Sequence, residues 1–563
     1  MLASLATFAL LVPFVSPVLQ LNGCPGVDVE VLLSTEPGSP VNSAVGMSGP
    51  FAPTSTFRGM EVSADGSHYA AHGDDSNWDF VVVRDGSVVL AEGDSGSWSS
   101  TAGEGAGLVY ARMGGINSSG EMAIQIRSDG PSDADEYVLR IAVDGSVEAA
   151  AAQKQPIPPG FSEDIGQTWG SFHSPGITDA GEVAFVASGG SGGPSEKFVI
   201  GQQVIAVKGD QNAIPLTPTS ENGPIADFEG SQTVVDALGN WASTMELVTT
   251  PTGGPDGEVF VVNSAVVLQS SEPAPGGVSL TNNSNIYGGR IGTGGTWICE
   301  ARDGITEFIF TAAGPVAESG AELFPGAGEF WSTSFQPFEG FDINASGEYV
   351  VAGETDQSPL VILYGNSSGE ARVIARQGDF LDVDLDGSFA ENRVIRDLSS
   401  PYLTIDDLGR TWACLRVRDD LGNAKGGAFV RITPAPACCP FEAFGETSST
   451  INSLTLIGGG STNLGGTVNL TTSGVSSGPT LTLFSLAPSE VPAVGGVAWI
   501  DLSQLIPLPG AATSTGGSSN LGVLVPIDAN LIGKSVYAQS VAAGPGTPEG
   551  LALSNGLKVT ICQ

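Results

Sequence analysis

A short turn motif recurs seven times along the chain, and this repeat constrains the fold more than any other feature. Each copy has the form (Asn/Asp/Ser/Thr/Gly)-x-x-Gly and precedes a strand of small or apolar residues. The seven copies are Ser63–Gly66, Asn117–Gly120, Thr178–Gly181, Asp236–Gly239, Gly292–Gly295, Asn344–Gly347 and Asp406–Gly409. Their glycines lie 52 to 62 residues apart. A period of this length, filled with short strands, is typical of a propeller or a solenoid.

Each repeat contains four short runs with strand character. In the first repeat these runs cover residues 55–62, 67–72, 79–84 and 87–92. Asp85-Gly86 separates the last two runs, and an Asp-Gly pair between Val-rich runs is a strong hairpin signal. We therefore predict an all-β protein with a seven-bladed β-propeller, in which each repeat forms one four-stranded blade.

The last repeat provides only three such runs, at residues 402–405, 410–417 and 427–432. A run ahead of the first repeat, residues 29–35 (VEVLLST), resembles the fourth-strand sequence at residues 265–271 (AVVLQSS). If residues 29–35 dock as the outer strand of the seventh blade, the ring closes and no blade is left incomplete. We therefore expect the N-terminal strand 29–35 to close the propeller.

The cysteines near the two ends of the predicted propeller suggest how its seam is held. Cys24 precedes the closing strand, and Cys438 and Cys439 follow the third strand of the last blade. Antiparallel pairing brings these ends together, which favours a disulfide from Cys24 to Cys438 or Cys439. The competing hypothesis is lipidation of Cys24, because residues 21–24 (LNGC) resemble a bacterial lipoprotein box. A second disulfide, from Cys562 to Cys439, could link the end of the last domain to its start.

Both ends of the chain lie outside the repeats. Residues 1–20 are apolar and contain Pro13 and Pro17, which favours a secretory signal peptide over a membrane anchor. No later stretch is long and apolar enough to span a bilayer. We assign residues 25–436 to the propeller. Residues 440–563, rich in Ser, Thr, Gly and Leu with alternating runs, predict a separate C-terminal β-sandwich. We expect a secreted or cell-surface protein.

The charge of the chain excludes some partners. Its 61 acidic and 21 basic residues give a formal net charge of −40. Such a field repels nucleic-acid backbones and anionic lipid, so neither nucleic acid nor a membrane surface is an expected partner. It favours solubility and divalent cations, although a solvated acidic surface is sufficient to explain it.

Two of the repeats come nearest to the fuller pattern Asn-x-x-Gly-x-x-Ala-Phe, at residues 117–124 (NSSGEMAI) and 178–185 (TDAGEVAF). On this motif the chain resembles the secreted tandem-repeat proteins of planctomycete-like bacteria that are named after it. The resemblance covers roughly residues 29–433. It implies a secreted bacterial propeller, and because that group has no established activity it assigns no catalytic residue.

One acidic segment suggests a metal site. Asp382, Asp384 and Asp386 alternate along the chain and are followed by Gly387, like the first half of a calcium-binding loop. The second half departs from that pattern, because Arg393 stands where the loop needs Glu. Calcium is therefore a hypothesis, and an acidic, solvated connection between blades is the alternative.

The predicted connections between blades also carry aromatic residues. These are Trp98, Trp169, Phe228, Trp331 and Phe389. In propellers such connections crowd one rim of the central channel, so a ring of aromatic side chains there would suit a sugar surface. The alternative is that each ring packs between blades as part of the core.

The other residue types with possible chemistry give weaker signals. The chain has three histidines, His68, His72 and His173, and neither a Gly-x-Ser-x-Gly nor a His-Glu-x-x-His motif. Cys299 and Cys414 lie inside predicted second strands, so we expect them to be buried thiols.

We therefore predict an exported, non-catalytic propeller for extracellular binding or cell-surface structure, with a protein or a polysaccharide as its ligand. The alternative is a carbohydrate-active hydrolase or lyase that uses acidic residues at the channel mouth. The two differ in one observable feature. An enzyme should gather at least two acids at the channel, with shifted pKa values.

Overall fold

The structure is a computed structural model, and it describes residues 27–94, 107–129, 135–157, 168–189, 196–208, 225–247, 257–281, 284–325, 327–367, 369–385, 393–419, 421–434, 441–444, 454–460, 467–474, 479–493, 496–506, 511–513, 518–526, 534–543 and 551–561. The chain forms two compact units, made mainly of residues 29–434 and of residues 435–563. The described residues are strands and turns with two short 3-10 segments, which confirms the all-β prediction. In this part of the chain no helix is long and apolar enough to cross a membrane.

The described residues of the 29–434 unit form seven four-stranded sheets, numbered here along the chain. The first strand is β1 (Val27–Ser34). Sheet 1 contains β2 (Gly59–Val62), β3 (Tyr69–Asp74), β4 (Phe80–Arg84) and β5 (Ser87–Ala91). Sheet 2 contains β6 (Leu108–Ile116), β7 (Met122–Ser128), β8 (Glu136–Ile141) and β9 (Val147–Ala152). Sheet 3 contains β10 (Trp169–Ile177), β11 (Val183–Gly189), β12 (Lys197–Ile200) and β13 (Gln203–Val207). Sheet 4 contains β14 (Ile225–Val235), β15 (Trp241–Leu247), β16 (Gly257–Val262) and β17 (Ala265–Gln269).

Sheet 5 contains β18 (Asn285–Gly292), β19 (Thr296–Asp303), β20 (Thr306–Thr311) and β21 (Gly314–Glu318). Sheet 6 contains β22 (Phe338–Ile343), β23 (Tyr349–Gly353), β24 (Val361–Gly365) and β25 (Ala371–Arg376). Sheet 7 contains β26 (Val394–Ile405), β27 (Thr411–Arg418) and β28 (Ala424–Pro434), with β1 beside β28 at its outer edge. In sheets 1 to 6 the four strands neighbour one another in chain order.

The backbone conformation of the turn explains why each copy of the motif ends in glycine. It joins the first and second strand of each sheet, and all seven of its glycines have φ between 63° and 85°. That left-handed region is open to glycine and costly for residues with a Cβ atom. In two repeats the first residue is a buried asparagine, Asn117 or Asn344.

The side chain of Asn344 closes its own turn and also reaches the next sheet. Its Oδ1 accepts hydrogen bonds from the backbone N–H groups of Ser346 and Glu348, both at 3.0 Å. Its Nδ2 donates to the backbone oxygen of Asp406 in the turn of sheet 7, at 2.9 Å. Asn117 makes the equivalent bond to the oxygen of Thr178 at 3.0 Å. The repeated asparagine therefore links successive sheets.

Replacing Asn344 with Ala should lower the free energy of unfolding by about 2–3 kcal/mol, because it removes the buried hydrogen bond to the oxygen of Asp406 and the two partly buried hydrogen bonds of its own turn. Asn366→Ala is the matched control. Asn366 accepts from the N–H of Glu370 at 3.1 Å in the same kind of turn, but it is less buried. Urea unfolding measures both variants. Equal losses for the two would contradict a role for Asn344 between sheets.

Apolar clusters hold side chains from adjacent sheets together. Separate clusters join sheets 7 and 1, 1 and 2, 2 and 3, 3 and 4, 4 and 5, and 5 and 6. Strand β22 of sheet 6 contacts β26 of sheet 7. Phe260 of sheet 4 and Trp297 of sheet 5 illustrate the packing, with ring centroids 5.9 Å apart. Neighbouring sheets therefore bury their faces against each other in chain order.

Strand β1 pairs with β28 as the outer strand of sheet 7. This position is the one predicted from the resemblance of residues 29–35 to residues 265–271. The inward residues of β1, Val27, Val29, Val31 and Leu33, are at most 5% exposed. Beyond its end, the N–H of Thr35 donates to the oxygen of Gly427 at 3.0 Å. A residue from the start of the chain thus lies against the last repeat.

A bidentate ion pair also joins the N-terminal part of the chain to the segment that leads into sheet 7. Arg393 donates from Nε and from a terminal nitrogen to the two carboxylate oxygens of Glu36, at 2.9 and 2.7 Å. This geometry is the strongest form of the Arg–carboxylate contact.

The 435–563 unit has its own sheets and core. One sheet has the order β29 (Phe441–Phe444), β39 (Leu551–Thr560), β38 (Ser535–Ala543), β32 (Pro479–Ser485) and β35 (Leu505–Ile506), with β36 (Ala511–Thr513) also paired to β32. A second sheet contains β30 (Thr455–Gly460), β31 (Thr467–Ser473) and β37 (Ser518–Leu524), and a hairpin contains β33 (Pro488–Ala493) and β34 (Gly496–Ile500). One apolar cluster includes residues of both main sheets, among them Leu470 and Leu557.

The cysteines divide into two groups. Cys299 and Cys414 are buried free thiols, as the sequence predicted. Burial raises the pKa of both thiols, so they stay protonated near neutral pH. Those assigned to disulfides, Cys24, Cys438, Cys439 and Cys562, lie outside the described residues, and the disulfide and lipidation hypotheses both stay predictions.

Candidate functional site

The first strands of all seven sheets line one cavity. Its volume is about 770 Å³. Most lining residues come from β2, β6, β10, β14, β18, β22 and β26 or from the turns that follow them. Sheet 1 adds further lining residues outside its first strand, which are Arg58, His72, Asp74, Trp78, Phe80 and Glu92. Because each sheet contributes its first strand, side chains far apart in the sequence face one shared space. This cavity is the candidate functional site.

Three charged residues from different sheets interact on its wall. Glu61 of sheet 1 is partly exposed to the cavity. Burial raises its pKa to about 7, the positive charge of Arg290 from sheet 5 opposes that rise, and Asp342 from sheet 6 adds to it. Glu61 is therefore a carboxyl group that exchanges its proton near neutral pH.

Asp342 is held in place by sheet 7. The hydroxyl of Thr404 and the backbone N–H of Ile405 both donate to its Oδ2, the second at 3.1 Å. Burial raises the pKa of Asp342, while these hydrogen bonds and Arg290 work against the rise. Asp342 thus fixes one wall of the cavity and contributes a second carboxyl with a raised pKa.

Tyr402, Tyr110 and Arg112 extend the polar wall. Burial raises the pKa of the Tyr402 phenol, and Tyr110, Arg112 and Glu61 are close enough to affect it. Arg112 is exposed and lines the cavity. Most arginines in the described ranges pair with a carboxylate, whereas Arg112 and Arg290 form no ion pair there. Nη1 of Arg290 donates to the backbone oxygen of Gly289 at 3.4 Å, and both guanidinium groups keep further N–H groups that a ligand can accept from.

A second group of polar residues lies on sheet 1. Arg58 pairs with the buried Asp74 at 2.7 Å. The imidazole of His72 is 7% exposed, and burial together with Arg58 lowers its pKa to about 4. His72 is therefore neutral at physiological pH. Trp78 and Glu92 line the same part of the cavity wall.

Glu300 also has a raised pKa, although it lies away from the cavity. It lies on β19, the second strand of sheet 5, and does not line the cavity. Burial raises its pKa to about 8, and the nearby Glu307 adds to the effect. A shifted pKa alone therefore does not mark the site, and membership of the cavity wall is the stronger criterion.

The aromatic residues predicted for the channel rim do not form such a rim where the structure describes them. Trp169, Phe228 and Trp331 are 4%, 2% and 1% exposed, and each belongs to an apolar cluster. A ring buried this far offers no face to a sugar, so packing, the alternative reading, describes these three. Trp98 and Phe389 lie outside the described residues.

The predicted calcium loop is described only in part. Asp382 is 3% exposed, Asp384 is partly buried, and Asp386 lies outside the described residues. Among the residues that the structure describes, no three His, Cys, Asp or Glu side chains are grouped so as to hold a metal ion. Calcium at this loop stays a prediction.

The cavity residues were missed by the sequence analysis, although the repeat contains a signal for them. The position two residues before each turn motif carries, in order, Glu61, Gly115, Gly176, Val234, Arg290, Asp342 and Thr404. A first strand with apolar neighbours should not carry a charge at this position unless the charge faces a polar space. Aligning the seven turns would have identified Glu61, Arg290, Asp342 and Thr404 together.

No protein-family model and no curated protein matches the chain. Three similar solved structures are a neuraminidase-like protein from a flat-faced bat isolate, a Bacteroides fragilis protein assigned as a 6-phosphogluconolactonase, and an Aspergillus kawachii β-fructofuranosidase complexed with glycerol. The first has 12% identity, covers 57% of this chain and 86% of its own, and has a TM-score of 0.27. The second has 14% identity, covers 62% and 94%, and has a TM-score of 0.26. The third has 10% identity, covers 97% and 98%, and has a TM-score of 0.21. These scores are too low to support an argument about fold or activity.

Proposed function

We propose that this protein is an exported, non-catalytic binding protein whose ligand, a polysaccharide or another surface protein, enters the cavity between the first strands of the seven sheets. The observation that carries the proposal is the single cavity that all seven first strands line, with the polar side chains of Arg112, Arg290 and Tyr402 on its wall. Ligand sites are concave and hold a few convergent polar groups, often with perturbed pKa values.

The architecture that goes with this proposal is a closed seven-bladed propeller followed by a β-sandwich. Seven four-stranded sheets, adjacent packing in chain order and β1 beside β28 support the propeller. Two sheets that share one apolar cluster support the sandwich. Export through residues 1–20 and membership of the tandem-repeat group named above are parts of the same proposal, and they rest on the sequence.

The chemistry of the wall favours a ligand rich in hydroxyl groups. Below pH 7 the carboxyl of Glu61 is mostly protonated and both donates and accepts hydrogen bonds. Arg290 and Arg112 donate, and the hydroxyl of Tyr402 does both. Sugar hydroxyls likewise donate and accept, so this mixed set of partners matches them.

A carbohydrate-active enzyme is the second candidate, and one observation favours it. Glu61 and Asp342 are two interacting carboxyls on one cavity wall, both with raised pKa values, which is the feature that the sequence analysis expects of an enzyme. Hydrolases and lyases use such groups as general acids and bases, for which a pKa near the working pH is best. In this reaction class Glu61 would transfer the proton.

Two substitutions of Glu61 separate binding from catalysis. Glu61→Leu should weaken binding by about tenfold, because it removes the hydrogen-bonding group and keeps the side-chain size. Glu61→Gln keeps a neutral donor and acceptor, so it should retain binding and abolish any proton transfer. Retention on insoluble and algal polysaccharides, and release of sugar ends, are measured for each variant with calcium present.

Glu148→Gln is the control, since that carboxylate is 65% exposed and outside the cavity. Retention without release by the wild type supports the binding protein. Release that Glu61→Gln abolishes would replace it with the enzyme. Retention unaffected by Glu61→Leu would contradict a binding role for the cavity.

A further inference from the structure

We infer that the part of the cavity bordered by sheets 1 and 2 is a stacking subsite for a neutral saccharide ring, with the indole of Trp78 as its platform. The inference rests on the proposed function, because it names the class of ligand for the same cavity. Three features of the described residues carry it. They are an exposed ring in a fixed turn, a second exposed ring on the neighbouring sheet, and a buried histidine with a nitrogen that lacks a hydrogen bond.

Trp78 is exposed and is held in an unfavourable backbone conformation. Its side chain is 57% exposed and lines the cavity. Its φ of 70° lies in the left-handed region, which costs a bulky residue about 1 kcal/mol or more. Of the nine described non-glycine residues in this region, Trp78 and Ser174 line the cavity. An exposed indole in a strained turn has no packing role that would explain it.

The buried carboxylate of Asp75 keeps the turn around Trp78 fixed. Its Oδ1 accepts hydrogen bonds from the N–H groups of Asn77 and Asp79 at 2.7 and 3.2 Å. Its Oδ2 accepts from the hydroxyl of Ser48 at 2.8 Å. The backbone N–H of Trp78 donates to the backbone oxygen of Asp75 at 2.9 Å. The ring is therefore presented on a preorganised turn, which lowers the entropy cost of binding.

Tyr110 and His72 complete the subsite. Tyr110, on β6 of the neighbouring sheet, is 51% exposed and lines the same cavity, and β6 contacts β3, which carries His72. His72 also lines the cavity and is only 7% exposed. Its Nε2 has no hydrogen-bond partner among the described residues. A buried polar atom without a hydrogen-bond partner destabilises the folded state unless a ligand or a water molecule forms that bond.

The charge around the subsite selects an uncharged ligand. Arg58 is already neutralised by Asp74 at 2.7 Å, and Glu92 adds a carboxylate to the cavity lining. The net charge of −40 repels polyanions at long range. Indole and phenol faces pack against the C–H face of a pyranose, while His72 and the Arg58–Asp74 pair can bond its hydroxyls. A neutral saccharide fits all of these groups.

Calorimetric titration of the full chain with neutral oligosaccharides (cello-, manno-, xylo- and laminari-hexaose) and with polygalacturonate tests the inference. We expect binding to at least one neutral oligosaccharide and none to polygalacturonate. Trp78→Asn should weaken that binding tenfold or more, since Asn tolerates the left-handed backbone and removes the ring. Trp78→Phe keeps an aromatic face and should stay within about threefold of the wild type.

Phe335→Asn is the matched control. Phe335 is an exposed aromatic residue, 67% exposed, and it does not line the cavity. Unfolding temperatures of all variants show that the fold is kept. If the wild type binds and Glu61→Leu weakens binding but Trp78→Asn does not, the subsite is wrong and the proposed function stands. Binding of polygalacturonate alone would overturn the neutral class. If no saccharide binds, the inference fails together with a saccharide-binding function.

Discussion

Val31→Asp is expected to destabilise the 29–434 unit by about 4 kcal/mol or more. Val31 is 3% exposed in β1, the outer strand of sheet 7. A carboxylate at this position would lose its water and gain no partner, which is among the most costly single changes in a protein core. Urea unfolding with tryptophan fluorescence measures the effect.

Glu30→Gln on the same strand is the matched control. The Glu30 side chain is 51% exposed and pairs with Arg431 at the surface, so its loss should cost no more than about 1 kcal/mol. A Val31→Asp protein with the stability and unfolding slope of the wild type would show that β1 is not needed to complete sheet 7. The closure of the seven sheets by the start of the chain would then be wrong.

Glu300→Gln should stabilise the protein at alkaline pH and leave it nearly unchanged at acidic pH. In the folded protein, burial and Glu307 raise the pKa of Glu300 from 4.5 to about 8. The folded state therefore holds this proton more tightly than the unfolded state. The resulting stability is fully present below about pH 4.5 and is lost as the pH rises through about 8.

Gln at this position keeps the shape and cannot ionise, so the variant avoids that loss. Allowing for the partial exposure of Glu300, we expect a gain on the order of 2–3 kcal/mol at pH 9 and none at pH 4.5. Unfolding temperatures across this pH range measure it, with the exposed Glu370→Gln as control. A gain that is the same at every pH would show that Glu300 is not protonated in the folded protein.

The sequence could predict the sheets because their signals are local. The left-handed glycine of each turn and the Asp85-Gly86 hairpin leave direct traces in residue type. The position of β1 was also predictable, because the last repeat lacks a fourth run and residues 29–35 resemble the fourth-strand sequence at residues 265–271. Strand bounds were less accurate. Residues 55–58 precede β2, and β26 begins eight residues before residue 402, at Val394.

The candidate site was harder to predict because it depends on which sheets face one space. Arg290 lies more than 200 residues after Glu61, and Asp342 lies about 50 residues after Arg290, so only the packing of the sheets brings the three together. The prediction of an aromatic rim was wrong for Trp169, Phe228 and Trp331, which are buried. An aromatic residue near a strand end can pack between two sheets as well as line a rim, and the sequence does not distinguish the two. Trp78 was not selected because its turn lies inside a repeat.

The most direct test of the account is a crystal structure of the protein with the oligosaccharide that it binds most tightly. The account predicts electron density for a sugar ring in the cavity between the first strands of sheets 1 to 7, within hydrogen-bonding distance of Glu61 and stacked on Trp78. Density for the sugar only on the 435–563 unit, or only on the outer strands of the sheets, would contradict it.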